Sequence, residues 1–196
     1  MSIVIINTGF SNLYSIKSAI RRIGYTSSVT DSIHDIKVAD KIFLPGIGTA
    51  ASLIKTLTQN HLLSFIKKTN QPILGICLGM QLLGKYSYEG KKCVLLNKIS
   101  NSIKKLPHKN CSVPHIGWNT VHYKHSHFLF KNIDNNTRFY FLHSYYMDVN
   151  PYTISISTHG LQFCSSVAIQ NFFGVQFHPE KSGNVGEQLI KNFLEI

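Results

Sequence analysis

The sequence predicts an α/β domain with a mostly parallel central sheet, helices on both faces and an antiparallel extension. Three observations carry this. The first half alternates short apolar, strand-like runs with stretches of helical periodicity, as parallel strands joined by crossover helices do. The second half changes to short strand-like segments between turns, with one closing helix. Two glycine-framed turns, at Gly46 and at Cys77, both fall at strand ends, and open parallel sheets bind ligands at the carboxyl ends of their strands.

Taken in order, Ile3–Ile6 reads as a buried strand. From Asn12, Leu13, Ile16, Ile20 and Ile23 recur at helical spacing, with Asn12 as N-cap and Gly24 as the stop. Lys41-Ile42-Phe43-Leu44 is a second strand, ended by Pro45-Gly46-Ile47-Gly48. Helical patterning resumes over 49–68. The run Pro72-Ile73-Leu74-Gly75-Ile76 is the next strand, and Leu78-Gly79-Met80-Gln81-Leu82-Leu83 the helix after it. Residues 113–123, 138–142, 153–157, 162–169 and 173–177 read as short strands, and 185–194 as the closing helix. No repeat or linker divides the chain, so a single domain over 1–196 is expected.

A chain of 196 residues with 43% hydrophobic residues can bury a core without disulfides or metals. The cysteines are Cys77, Cys93, Cys111 and Cys164. No pair has CxxC spacing, so neither a disulfide framework nor a structural zinc site is expected. The chain enters a strand-like run directly from Met1, with no basic leader, and its longest mostly apolar stretch, 73–84, is too short to span a bilayer. No membrane association and a cytoplasmic setting are expected. The net charge of +11 comes from scattered lysines, with no basic helix and no aromatic platform, so nucleic acid is not expected as a partner. A basic face can still attract a phosphorylated substrate or an acidic partner.

The chemistry concentrates in two stretches. Gly75-Ile76-Cys77-Leu78-Gly79 places a cysteine between small residues at a strand-to-helix junction, the pattern of a nucleophile elbow. Glycines let the backbone turn tightly, and the following helix turns its N–H groups toward the thiol, a setting that favours a reactive thiolate. About a hundred residues on, the chain reads Phe177-His178-Pro179-Glu180. On an extended strand end, His178 and Glu180 point to one face, so the carboxylate can hold the imidazole through one nitrogen and leave the other for the thiol. With only nine acidic residues in the chain, a carboxylate so close to a histidine is informative. The Leu78 N–H and the Pro45-Gly46-Ile47-Gly48 turn offer oxyanion donors. Gln81, one helical turn after Cys77, lies on its face. The patch His122, His125, His127 lacks an acid or cysteine to complete a metal site.

GICLGMQLL at 75–83, PGIG at 45–48 and VQFHPE at 175–180 together resemble the triad (class I) glutamine amidotransferases. Pro114-His115-Ile116-Gly117-Trp118-Asn119, Tyr140-Phe141-Leu142-His143-Ser144-Tyr145-Tyr146 and Phe177-His178-Pro179-Glu180-Lys181-Ser182-Gly183 are similar to that family's imidazole glycerol phosphate synthase branch, along almost the whole chain. The resemblance implies hydrolysis of glutamine to glutamate and ammonia through a cysteine thioester. It implies no cofactor and no metal. It also implies a heterodimer with a separate (β/α)-barrel cyclase, through which ammonia reaches a ribonucleotide in histidine biosynthesis. By matching position, Cys77 would be the nucleophile, His178 the acid/base and Glu180 its orienter. Gly46, Ile47 and Leu78 would shape the oxyanion hole, and Gln81, His143, Ser144 and Tyr145 would line the glutamine pocket. Asn12, Trp118 and Tyr140 match positions at the partner interface and ammonia route. Where the family often carries Asp-x-Gly-x-Gly-Asn-Leu, this chain has Asn7-Thr8-Gly9-Phe10-Ser11-Asn12-Leu13, which touches the first loop and not the triad. The alternatives are a glutaminase subunit of another amidotransferase, a stand-alone cysteine hydrolase and a basic nucleic-acid-binding domain.

Overall fold

A computed structural model describes residues 1–9, 12–109 and 111–196. The departure at Ser11 therefore lies outside the described residues. Among the described residues, the chain orders its elements as β1 (Ile3–Ile6), α1 (Leu13–Arg22), β2 (Ser28–Thr30), α2 (Ile33–Lys37), β3 (Lys41–Gly46), α3 (Ala50–Gln59), α4 (Leu62–Lys68), β4 (Ile73–Cys77) and α5 (Leu78–Gln81). Then follow β5 (Tyr86–Ser87), β6 (Cys93–Val94), β7 (Ile103–Lys105), β8 (His115–Thr120), β9 (Arg138–His143), β10 (Tyr145–Met147), β11 (Thr153–His159), β12 (Leu161–Ile169), β13 (Phe172–Val175) and α6 (Gly183–Leu194).

The main sheet runs β11-β12-β13-β4-β3-β1-β2. The five strands from β13 to β2 pair in parallel, and β12 and β11 add on antiparallel, as expected from the change of pattern halfway along the chain. Alternate residues of the central strands face opposite layers. Ile3, Ile5, Phe43, Leu74 and Ile76 pack with Ile16 and Ile20 of α1 and Leu189, Ile190 and Phe193 of α6. Val4, Ile6, Ile42 and Leu44 pack on the other side with Ile36, Leu53, Leu57, Leu62 and Ile66 from α2, α3 and α4. β1, β3 and β4 are buried throughout, as strands covered on both faces must be.

Several local expectations change. Asn12 stands at the N-cap position of α1, but its side chain makes no capping bond. The helical stretch 49–68 is two helices, because His61 adopts a left-handed conformation (φ 56°) that ends one and starts the other. Strand β3 continues through Pro45 and Gly46, which pair with Ile76 and Cys77. Proline is tolerated there because the last residues of β3 extend beyond the reach of β1. The helix after Cys77 is a single turn, and the backbone then curls through Leu82 and Leu83 on turn-type hydrogen bonds.

Two smaller sheets accompany the main one: β10-β7-β5-β6, and the antiparallel ribbon β8-β9. The ribbon turns Ile116, Trp118 and Leu142 outward, at 58%, 48% and 38% exposure. Its inner residues Phe139 and Phe141 are fully buried.

Candidate active site

Cys77 ends β4 with φ 54° and ψ −109°, a conformation that side-chain-bearing residues rarely adopt. The turn is thus made by the cysteine itself. The flanking glycines serve a different purpose from the one expected: they let backbones touch. A Cβ on Gly79 would lie 1.8 Å from Leu44 O, and one on Gly75 would lie 2.6 Å from the carbonyl of Gly79. The close seating of α5 against β3 and β4 holds the elbow in its strained shape.

β13 lies beside β4, with Val175 opposite Ile76, so the chain just past Val175 emerges at the same sheet edge as Cys77. His178 is extended there, but Glu180 sits in a 3-10 turn over Pro179–Lys181 rather than on a strand. Proline at the first position of that turn sets its start. The turn brings the two side chains together by curling: His178 Nδ1 lies 2.8 Å from Glu180 Oε1, both groups buried. Among the described residues, His178 Nε2 makes no aligned hydrogen bond, although Cys77 is near enough to favour the charged ring. Burial disfavours the imidazolium. The pull of Cys77 and Glu180 outweighs it and raises the His178 pKa from 6.5 to about 10.

Strand β9 touches both Cys77 and His178 through its backbone. The Tyr140 carbonyl accepts from His178 N at 2.8 Å, and the Leu142 carbonyl lies 3.6 Å from Cys77 Sγ, placed to accept the thiol proton. Ser182 Oγ accepts from Tyr140 N and donates to His178 O. The outward-facing ribbon is therefore bonded directly to Cys77 and His178.

Cys77 and His178 open on a cavity of about 350 Å³. Gly46, Ile47 and Leu78 line it on one side, and Gln81, His143, Ser144 and Tyr145 on another. Asn12, Trp118 and Tyr140 are not among its lining residues. Trp118 and Tyr140 instead pair across the ribbon, rings edge to face at 6.2 Å, and Asn12 is exposed at the start of α1. Sequence reasoning missed Glu89, which also lines the cavity and whose Oε2 accepts from Ala50 N at 2.8 Å. The loop carrying it has no periodicity to mark it. A second cavity, about 300 Å³ and bordered by His122, His125 and His127, lies against β11. Among the described residues no cluster of histidine, cysteine or carboxylate side chains could hold a metal ion.

The side chains of His143 and Gln81 are largely engaged within the fold. Tyr145 O can only accept, so His143 Nδ1, at 2.9 Å, carries the proton. His143 Nε2 then accepts from His115 Nδ1 at 2.9 Å, and His115 Nε2 accepts from Asn119 Nδ2 at 3.2 Å. The other Asn119 proton goes to Thr158 O. Every partner in this chain is consistent with neutral imidazoles. Burial is the main cause that lowers His143 to about 3 and His115 to about 4. Gln81 Nε2 donates at 2.9 Å both to Tyr145 O and to Gln176 Oε1. Its Oε1 is the atom left to meet a ligand. Near the first loop, Asn7 Oδ1 accepts from Gly9 N at 3.1 Å, so the uncharged residue closes its own turn.

Comparison with known proteins places this geometry in context. Residues 4–196 match the family model for glutamine amidotransferase class-I. The chain is 49% identical over 196 residues, all of both proteins, to imidazole glycerol phosphate synthase subunit HisH of Buchnera aphidicola subsp. Acyrthosiphon pisum (strain APS). It is 48% identical, again over the full length of both, to the protein of that name from Salmonella typhimurium strain LT2. Among solved structures, PurLQS from Thermotoga maritima aligns with a TM-score of 0.72 at 15% identity, over 99% of this chain and 97% of that one. A glutamine amidotransferase from Thermotoga maritima aligns at 0.66 and 18% identity, over 100% and 83%. At such identities these two likenesses speak for the fold alone.

Proposed function

Since the chain belongs to the class-I glutamine amidotransferase family, we propose that it is the glutaminase subunit of an imidazole glycerol phosphate synthase. It works as one amidotransferase domain, in the cytoplasm, bound to a (β/α)-barrel cyclase. The full-length likeness to the HisH proteins supports the assignment to that enzyme. The observation that carries the chemistry is Cys77 at a strained elbow, sharing one cavity with a histidine held at 2.8 Å by Glu180.

The Cys77 thiolate attacks the side-chain carbonyl carbon of glutamine. Negative charge moves to the carbonyl oxygen, where N–H groups of the Gly46-Ile47 turn and of Leu78 receive it. His178, charged and steadied by Glu180, gives its Nε2 proton to the departing nitrogen, and ammonia leaves a thioester on Sγ. His178 then takes a proton from water, whose oxygen attacks the thioester. The C–S bond breaks, glutamate leaves and the thiolate returns. Glu89, a carboxylate on the cavity wall, offers a counter-charge for the α-ammonium group of glutamine. His143 does not offer its ring nitrogens to the pocket, because both are taken within the fold.

Ammonia released into water would be protonated and lost as a nucleophile, so a shielded path to the partner preserves it. The ribbon face with Trp118, Tyr140 and Leu142, together with Asn12, forms the partner contact. Its bonds to His178 and Cys77 give docking a direct mechanical line to the triad. The cyclase uses the ammonia to form imidazole glycerol phosphate and an aminoimidazole carboxamide ribonucleotide. The test is Cys77→Ala in the reconstituted pair. Glutamine-dependent synthesis disappears, while synthesis from added ammonium salt persists. Retained glutamine-dependent synthesis would remove Cys77 from its role.

A further inference from the structure

Gln176 lies between β13 and His178, and its side chain has no solvent exposure. A buried amide needs partners for both ends. The orientation of this one is fixed by a chain of hydrogen bonds that begins at a backbone carbonyl. Tyr145 O cannot donate, so the Gln81 atom that meets it is the NH₂ group. The second proton of that NH₂ points at Gln176, whose contacting atom must therefore be Oε1, at 2.9 Å. Only one arrangement remains for the other end: Gln176 Nε2–H is aimed at Cys77 Sγ, at 3.6 Å.

The sulfur thus has two polar neighbours of opposite kind. Leu142 O, also at 3.6 Å, can only accept, so it serves the neutral thiol. Gln176 Nε2 can donate, so its contact strengthens when the sulfur becomes negative. The bond that Oε1 accepts from Gln81 polarises the amide and improves it as a donor.

We infer that Gln176 is a further catalytic residue of this site, donating a hydrogen bond that stabilises the Cys77 thiolate, and that Gln81 is its positioning residue. The inference rests on Cys77 being the nucleophile of the proposed reaction. In that reaction the thiolate exists twice: before attack on the amide, and as the leaving group when water opens the thioester. At the second point the C–S electron pair returns to Sγ while the proton of the water resides on His178, and the Gln176 N–H meets the charge as it forms. Gln81 acts through Gln176. Without it the amide can flip and set Oε1 against the sulfur, turning a donor into a repelling acceptor.

The test follows alkylation of Cys77 by iodoacetamide in the full chain across pH, read by mass spectrometry, with the partly buried Cys93 as internal reference. In Gln176→Leu, the midpoint of the labelling pH profile rises by about one unit, and labelling at pH values below the parent's midpoint slows about tenfold, a hydrogen bond to a charged group being at stake. The plateau rate at high pH, where all the sulfur is thiolate, matches the unaltered protein, and Cys93 is unchanged. Gln176→Met, which cannot donate but fills similar volume, gives the same profile and carries the test if the leucine variant does not fold. Gln81→Leu shifts the midpoint in the same direction. An unmoved midpoint in Gln176→Met overturns the inference, and so does a lowered plateau with no change of midpoint, the mark of a merely disturbed fold. Because labelling needs no glutamine, it is read separately from the Cys77→Ala synthesis test, and either result can fail without the other.

Discussion

Acid should weaken this domain through two imidazoles that the fold keeps neutral. His143 and His115 are 6% and 4% exposed, and each donates its Nδ1 proton and accepts at Nε2 within the chain Tyr145 O, His143, His115, Asn119. A proton added to either ring would face a donor with a donor. Burial first, and neighbouring histidine charge second, depress His115 from 6.5 to about 4. For His143 burial again dominates, opposed by the Tyr145 carbonyl, and the value falls to about 3. The sign follows from linkage. Above pH 6.5 both rings are neutral folded and unfolded, and their contribution is complete. Below 6.5 the unfolded chain takes up protons that the folded chain refuses, so stability falls until pH reaches the folded values. Each histidine contributes a slope of about 1.4 kcal/mol per pH unit, roughly 2 kcal/mol near pH 5. The assay is urea denaturation followed by circular dichroism between pH 5 and 8, for the protein and for His115→Gln. The variant is less stable throughout, because His143 Nε2 loses its donor. Its loss between pH 7 and 5 should nevertheless be smaller by roughly 2 kcal/mol, one titrating group having gone. Parallel slopes would refute the neutral, tautomer-fixed chain.

Other outcomes follow from the same geometry. Glu180→Gln should lower glutaminase kcat/KM on the order of 10³-fold, measured by glutamate release, since His178 loses its anchor. The stability cost of that substitution should be greatest below pH 6.5 and fade as pH rises toward 10. His178 is raised in the fold, so what its partners contribute is present below the unfolded value and lost through the folded one, and denaturation of the variant and the parent at pH 6 and 9.5 checks this. Gly79→Ala puts a methyl group 1.8 Å from Leu44 O and should cost about 3 kcal/mol or more, or prevent folding, as a urea titration would report. Trp118→Ala, at a half-exposed site, should alter stability by about 0.5 kcal/mol or less while weakening cyclase binding by about 2 kcal/mol in calorimetry.

Local chemistry was legible where a short stretch carries its own pattern. The apolar run Ile3–Ile6, the periodicity of α1 and the change of spacing halfway along the chain are written in neighbouring residues, and they led to the mixed sheet with helices on both faces. The elbow at Cys77 and the closeness of His178 to Glu180 were legible for the same reason. Even there the local geometry differed. The cysteine, not a glycine, takes the positive φ, and a 3-10 turn rather than a strand joins histidine to glutamate. Sequence spacing limits how far two side chains can be apart, but packing decides the path between them.

The amino-acid sequence by itself determined the class of fold and the family, and it singled out Cys77 as the candidate nucleophile. Tertiary structure alone decided which distant groups surround the sulfur. Gln176 reaches Cys77 across 99 residues, Leu142 reaches it across 65, and His115 meets His143 across 28. Glu89 arrives from a loop with no periodicity of its own and is held by the first N–H of α3. Such pairings arise from the insertion of β13 beside β4 and the folding of β9 over the sheet edge. Periodicity reports only which face of an element is buried, whereas a hydrogen bond between elements depends on how whole layers are stacked.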